Sequence, residues 1–377
     1  MAQKKLLFVI NHIDWFWSHR LPLAKGAQVE GWDVHVAVTG ASADPNLKPQ
    51  HFTGHELPGS NGRVSLLKII WAVHKIIKAE KPDLVHAITL KHAFLAGLAA
   101  RFHKDVKIVH TLAGLGYLFR AEGIKPQILR LLIGPFLKLA LKHKRAQLIF
   151  QNPDDMALMI RRGFACAERC TLIRGSGVDL QEFPFTPLPE DSSTNGGPIV
   201  LMPTRLVHEK GIAVFIEAAN ILRARGVKAQ CQIAGGISRS NPRAISEEEM
   251  AQMLDGSAAQ WLGQVSDMPA LYKTATLICY PSYYGEGVPK VLLESAATGR
   301  PIITCDHAGC REAVDDGVSG LLIPVKNAQA TADAIQTLLE DRPRMIEMGR
   351  KSHELAVRDY DVVSVVERTL KVYAKSP

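Results

Sequence analysis

The strongest constraint on this chain is an alternation that runs its whole length. Short β-rich apolar runs at Leu6–Ile10, Val34–Val38, Leu84–Ala87, Ile108–His110, Leu148–Phe150 and Thr171–Ile173 are each separated by longer stretches of helical pattern. Two strands with a helix between them run parallel, and a parallel sheet needs helices on both faces, so the pattern implies βαβ units in a doubly wound sheet. From Phe185 to Pro198 the chain holds prolines, glycines and a Ser/Thr/Asn cluster with nothing to pack. The pattern then restarts at Ile199–Pro203, Gln230–Ala234, Thr276–Tyr280, Pro301–Thr304 and Gly320–Ile323. The expected organisation is an α/β domain over 1–184, a linker over 185–198, a second α/β domain over 199–345, and C-terminal helices over 346–377 packing back toward the first domain. Two such domains make a cleft, and open α/β sheets bind ligands beyond the carboxyl ends of their strands.

Composition suits two such cores, with 377 residues of which 47% are hydrophobic and 22% charged. The net charge of +8 is unevenly spread: residues 1–180 carry +12 and residues 181–377 carry −4. A nucleic-acid-binding protein is a competing reading of the basic half, but no binding module accompanies it. The first apolar run is too short for a signal peptide, and the most apolar stretch, Ile128–Leu141, is interrupted by Arg130 and Lys138, so no membrane-spanning segment is expected. The six cysteines lack paired CxxC spacing, and Cys305-x4-Cys310 has no Cys/His partner pair nearby, which favours a reduced, cytosolic protein without structural zinc.

Two constellations in the second half carry chemistry. Pro203-Thr-Arg-Leu-Val-His-Glu-Lys-Gly211 follows one expected strand and opens a helix. Arg205 and Lys210 there join free helical N–H groups in a pattern suited to a diphosphate, although two unrelated solvated cations would give the same spacing. After the strand Thr276–Tyr280 comes Pro281-Ser-Tyr-Tyr-Gly-Glu-Gly-Val-Pro-Lys-Val-Leu-Leu-Glu294. Pro289 suits a first helical turn, Gly287 lets a ligand approach the backbone, and Glu286 and Glu294 flank the helix start. A cap at Glu286 and an ordinary exposed helical residue at Glu294 form the competing reading.

Arg205 and Lys210 with the Glu286-x7-Glu294 frame resemble the donor site of the retaining glycosyltransferases of family 4, whose GT-B fold has two Rossmann-like domains facing a central cleft. Gln232-Ile-Ala-Gly-Gly236, Leu262-Gly-Gln-Val-Ser-Asp267 and Gly317-Val-Ser-Gly-Leu-Leu322 fall in the family's order. His19-Arg-Leu-Pro-Leu23 and Gly114-Leu-Gly-Tyr117 are similar to bacterial members that move GalNAc or a related hexose from UDP onto a polyprenyl-diphosphate-linked saccharide. The resemblance implies that Arg205 and Lys210 hold and stabilise the UDP diphosphate. It also implies that Glu294 binds the ribose, that Glu286 with the backbone of Gly287 and Val288 orients the sugar, and that Gly235, Leu262 and Gly263 line the nucleotide site. No cofactor and no divalent ion are then expected, because the two cations do electrostatically what a metal does in other transferases. A soluble acceptor, or a sugar-nucleotide epimerase, are the alternatives within enzymes.

The first half is expected to serve the acceptor. In the predicted loop Asn11–Arg20, His19 is the acceptor-side candidate for a catalytic role, against a helix-cap or core histidine. Trp15, Phe16 and Trp17 stack on sugar, lie in the membrane interface or belong to the core. A histidine that many relatives carry is replaced by Ala113; His110 falls too early, on a strand, and His86 is a weaker candidate. Residues 123–153 contain no acidic side chain but include Lys125, Arg130, Lys138, Lys142, Lys144 and Arg145. Arg130, Lys138, Lys142 and Arg145 are spaced for one helical face beside Ile128, Leu132, Phe136 and Leu139. This suits an anionic bilayer surface, with packing of the apolar face on the sheet as the competing reading. The combined expectation is a peripheral enzyme on the cytosolic face of the plasma membrane that binds no nucleic acid.

Overall fold

A computed structural model of the chain describes residues 3–59, 66–120, 123–190, 197–237 and 243–375. It divides into two compact units, one of residues 1–176, 285–287 and 363–377, the other of residues 177–284 and 288–362. The first unit holds β1 (Lys4–His12), α1 (Ile13–His19), α2 (Leu21–Val29), β2 (Trp32–Thr39), β3 (Thr53–Glu56), α3 (Leu66–Glu80) and β4 (Leu84–Ile88). It continues through α4 (Leu90–Ala100), β5 (Lys107–Leu112), α5 (Gly116–Arg120), α6 (Ile124–Leu141), β6 (Ala146–Phe150), α7 (Pro153–Arg161) and β7 (Cys170–Leu172). The second holds β8 (Ile199–Pro203), α8 (Ile212–Ala224), β9 (Gln230–Ala234), α9 (Glu247–Leu254), β10 (Ala259–Trp261), α10 (Met268–Thr274) and β11 (Leu277–Tyr280). After these come α11 (Lys290–Ala297), β12 (Ile302–Cys305), β13 (Gly320–Ile323), α12 (Ala328–Leu339) and α13 (Arg342–Asp359). The last helix, α14 (Val362–Lys375), belongs to the first unit from Val363 onward.

The strand orders are β3-β2-β1-β4-β5-β6-β7 and β10-β9-β8-β11-β12-β13, with every pair parallel. Each order reverses beside its first strand, between β1 and β4 and between β8 and β11, and such reversal points open a crevice for ligands at the strands' carboxyl ends. The central strands are buried apolar runs, as covered parallel sheets require: Leu6, Leu7, Phe8 and Val9 of β1 and Val200, Leu201 and Met202 of β8 are inaccessible to solvent.

Three expectations need correction. Asn11–Arg20 is not a loop: Ile13–His19 form α1, begun by His12, whose Nδ1 accepts a hydrogen bond from the Asp14 backbone N–H. The unit boundary lies between Ser176 and Gly177 rather than in 185–198. The described part of that expected linker is anchored to the second unit, where the buried Arg300 guanidinium donates to the carbonyls of Thr186 and Pro187; residues 191–196 of it lie outside the described residues. Finally, α13 stays with the second unit while residues 363–377 join the first. Tyr373 of α14 is tied there through His86, whose Nδ1 lies 2.6 Å from the tyrosine Oη and whose Nε2 lies 2.7 Å from Thr111 Oγ1.

Candidate active site

The end of β8 and the end of β11 are neighbours, because these two strands pair at the reversal of the second sheet. After β8, a single 3-10 turn at His208–Lys210 leads to Gly211, which caps α8 with φ +83°. A side chain at Gly211 would collide with the Pro281 carbonyl, so glycine lets the two strand-end loops meet. Arg205 is exposed, whereas Lys210 is only 3% exposed. The Lys210 Nζ donates a 2.6 Å hydrogen bond to Tyr280 Oη and lies 5.3 Å and 5.2 Å from the ring centres of Tyr280 and Tyr284. A desolvated ammonium on aromatic faces is a strong local field for an anion.

The loop after β11 runs through half-buried Glu286 and buried Gly287 to Pro289. Pro289 is the N-cap of α11 rather than a residue of its first turn. Its fixed φ of −62° sets the chain for the helix, leaving the amides of α11's first turn at the loop end. The Val288 side chain packs in the apolar core, so only its backbone can serve a ligand. Glu294 is not an exposed helical residue: it is 7% exposed, accepts a 3.0 Å hydrogen bond from Tyr272 Oη at Oε2, and has Lys290 Nζ 3.3 Å from Oε1. Burial raises its pKa above the ordinary glutamate value, and Lys290 and Tyr272 pull the other way. Its carboxylate is held in one orientation by two partners, as suits a group that receives paired hydroxyls.

Gly235 follows β9 with φ +155°, and a Cβ there would strike the carbonyl of Thr204, the residue before Arg205. Its N–H donates to the Gly263 carbonyl at 2.8 Å, and its own carbonyl accepts from Trp261 Nε1 at 2.9 Å. Leu262 is half-buried and donates its N–H to the Ile233 carbonyl. The structure thus stitches Gly235, Leu262 and Gly263 together along the β9 and β10 ends, next to the Arg205 segment. Tyr272, Tyr280 and Tyr284 escaped the sequence reading. The Lys290–Glu294 spacing of four was visible, but nothing in sequence marked which tyrosines would lie against the two charged side chains.

In the first unit, His19 ends α1 and is half-buried, with Nδ1 2.6 Å from Ser18 Oγ and its ring stacked 5.0 Å from that of Trp15. Phe16 is in the core, Trp17 donates through Nε1 to Asp44 at 2.8 Å, and Trp15 is the exposed member of the three. His86 and His110 are fully buried on β4 and β5, so neither reaches a ligand. Ala113 follows β5 directly.

On α6 the expected face is partly redrawn. The helix ends at Leu141, so Lys142 is its C-cap and Arg145 lies beyond it, donating to the Asp105 carbonyl at 2.9 Å. Arg130 is half-buried and turned toward the Phe119 carbonyl. Lys125, Lys138, Lys142 and Lys144 are exposed. Gly134, Leu137, Ala140 and Leu141 face inward, close enough that a Cβ on Gly97 of α4 would lie 2.6 Å from the Ala140 carbonyl oxygen. Ile128, Leu131, Leu132, Phe136 and Leu139 are turned outward, with Leu131 78% exposed. No helix among the described residues is long and apolar enough to cross a membrane.

Comparison with known proteins gives the family and the fold. The family model for "Glycosyl transferases group 1" matches residues 188–354, and that for "Glycosyl transferase 4-like" matches residues 5–152. The chain is 29% identical over 318 residues to the N,N'-diacetylbacillosaminyl-diphospho-undecaprenol alpha-1,3-N-acetylgalactosaminyltransferase of Campylobacter jejuni, covering 82% of this chain and 81% of that protein. It is 23% identical over 81% of its length to an Escherichia coli UDP-Gal:alpha-D-GlcNAc-diphosphoundecaprenol alpha-1,3-galactosyltransferase, of which 79% is covered. In fold it is similar to Anabaena Alr3699/HepE, crystallised with UDP and glucose, with a TM-score of 0.76 over 99% of this chain and all of that one at 19% identity.

Proposed function

Because this chain belongs to the group 1, family 4-like glycosyltransferases of GT-B fold and is therefore a transferase, we propose that it moves N-acetylgalactosamine, or a related hexose, from UDP to a polyprenyl-diphosphate-linked saccharide with retention of configuration. The observation that carries this reading is the buried Lys210 ammonium at the end of β8, beside the end of β11. The names of the Campylobacter and Escherichia relatives supply the substrate class.

Transfer breaks the bond between the sugar C1 and the β-phosphate oxygen and forms one from C1 to the acceptor oxygen on the same face. The acceptor proton passes to the departing phosphate oxygen, so no protein nucleophile enters. Charge accumulates on the diphosphate as the C1–oxygen bond stretches. Arg205, Lys210 and the first amides of α11 stabilise that charge without reorganising. Glu294 receives the ribose hydroxyls, Glu286 with the backbone of Gly287 and Val288 orients the sugar, and Gly235, Leu262 and Gly263 bound the nucleotide. On this reading no divalent ion is needed for transfer, and His19 is the acceptor-side residue. On this reading the enzyme works at the anionic cytosolic leaflet, a view supported by the outward apolar row of α6 with the exposed Lys125, Lys138, Lys142 and Lys144, each nearby cation contributing about 1 kcal/mol.

The test is a donor panel of UDP-GalNAc, UDP-Gal, UDP-GlcNAc and a GDP-sugar with a polyprenyl-diphosphate saccharide, run in EDTA, with the product anomer read by NMR. An α-linked product from a UDP-sugar is expected; turnover with the GDP-sugar alone, or a β-linked product, would overturn the assignment.

A further inference from the structure

Among the described residues, one group of side chains has the spacing of metal ligands, and the sequence reading named none of its members: His35 of β2, His55 of β3 and Glu80 at the end of α3, whose ligating atoms all lie within 4.8 Å of one another. We propose that His35 Nδ1, His55 Nε2 and a Glu80 carboxylate oxygen bind one divalent transition-metal ion of the zinc class, clipping β2, β3 and α3 together.

The geometry of His35 makes the case. It is only 4% exposed, and its Nε2 lies 3.0 Å from Asp33 Oδ2. An ionised carboxylate only accepts, so the ring proton sits on Nε2 and the Nδ1 lone pair faces the cluster. A carboxylate orienting a histidine whose other nitrogen is left as a ligand is the usual outer support of a protein-bound zinc ion. From that Nδ1, His55 Nε2 is 2.9 Å away and Glu80 Oε2 is 3.7 Å away. Ligands about 2.0–2.1 Å from a tetrahedral ion stand ~3.3 Å apart, between those two distances, and the third pair lies within 4.8 Å, so a modest closing of the side chains would seat it.

Lys5 Nζ also lies 3.0 Å from Glu80 Oε2, the oxygen nearest His35 Nδ1. Lys5 is one-third exposed and can turn to solvent when an ion arrives. The ion would fasten β3, a four-residue edge strand with little apolar surface of its own, to the rest of the first sheet. None of its ligands is among the residues assigned to the donor; its role is structural and the transfer chemistry does not pass through it.

The experiment uses the full chain, stripped with EDTA and dialysed, then titrated with zinc chloride by calorimetry and by thermal unfolding. Expected are one zinc ion per chain, a rise in Tm, a 10–100-fold weaker Kd in Asp33→Asn and a larger loss in His55→Ala and Glu80→Gln. Glu80→Gln preserves side-chain size and serves should His55→Ala fold poorly, with circular dichroism confirming the fold. No stoichiometric binding by the wild type, or undiminished binding in the ligand variants, would overturn the proposal; the latter would place zinc on exposed histidines such as His12 and His51.

Discussion

The Lys210 Nζ donates to Tyr280 Oη across 2.6 Å, joining the turn after β8 to the last residue of β11. Tyr280 is itself fixed, since its backbone carbonyl accepts from Thr304 Oγ1 of β12 at 2.8 Å. The ammonium is therefore positioned by the sheet, and the cost of ordering a long side chain is met in folding rather than at the moment of reaction. If Lys210 stabilises the departing diphosphate, Lys210→Ala should lower kcat/KM by about 10²–10³-fold with an unchanged circular dichroism spectrum. Tyr280→Phe, which keeps the ring and loses the hydroxyl, should cost less than about tenfold, near the net worth of one hydrogen bond. Steady-state kinetics of the two variants check both numbers.

Glu294 separates binding from stability. Its folded pKa is raised, chiefly by burial, so ionisation works against the fold: any stabilisation is present below the unfolded pKa and lost as pH rises through the folded one. Glu294→Gln, whose amide oxygen can still accept from Tyr272, should leave Tm at pH 7 no lower than wild type. The donor KM should rise about 10–100-fold through loss of the charged acceptor of two hydroxyls. In the wild type the donor KM should climb on acidification from a higher pH than an ordinary glutamate would set.

His110 of β5 is buried with neither ring nitrogen paired, and burial first, then His143, holds its pKa down to about 3. A depressed histidine gives stability above its unfolded pKa that is lost as pH falls toward the folded value, so between about pH 6.5 and 3 it contributes up to about 1.4 kcal/mol per pH unit. His110→Leu removes both the acid sensitivity and the unmet polar atoms. Urea unfolding should show a gain of about 1 kcal/mol at pH 7 and a shallower decline at pH 5.

The outward row of α6 predicts behaviour at a lipid surface. Leu131→Asp with Phe136→Asp should abolish flotation with vesicles of mixed zwitterionic and anionic phospholipid, with no fall in Tm because both residues are exposed. Raising salt should weaken the wild-type interaction by screening the lysines.

Much of this architecture was legible in sequence because buried parallel strands are unbroken apolar runs; β8, β9 and β13 lie where the pattern put them. The strands it missed, β3 (Thr-Gly-His-Glu) and β10 (Ala-Gln-Trp), each lie at one edge of a sheet and hold no buried residue, so they need no such run. The segment 11–20 read as a loop for its polar residues, yet His12 caps a helix whose Phe16 is buried and whose remaining residues largely face water. At the candidate site the charged residues stood out through their spacing from glycine and proline. Their aromatic partners did not, because Tyr280 meets Lys210 through the β8–β11 pairing and Tyr272 meets Glu294 through the approach of α10 to α11, and neither is local. The same holds for His35, His55 and Glu80, which are 20 and 25 residues apart in sequence and brought together only by the β2–β3 pairing and the end of α3.

The most direct test of the central claim is release of UDP from UDP-GalNAc, measured with and without a polyprenyl-diphosphate-linked saccharide, for the wild type and Lys210→Ala. Release that depends on the acceptor and falls at least about a hundredfold in the variant is predicted. Equal release without acceptor, or a variant as fast as the wild type, would contradict it.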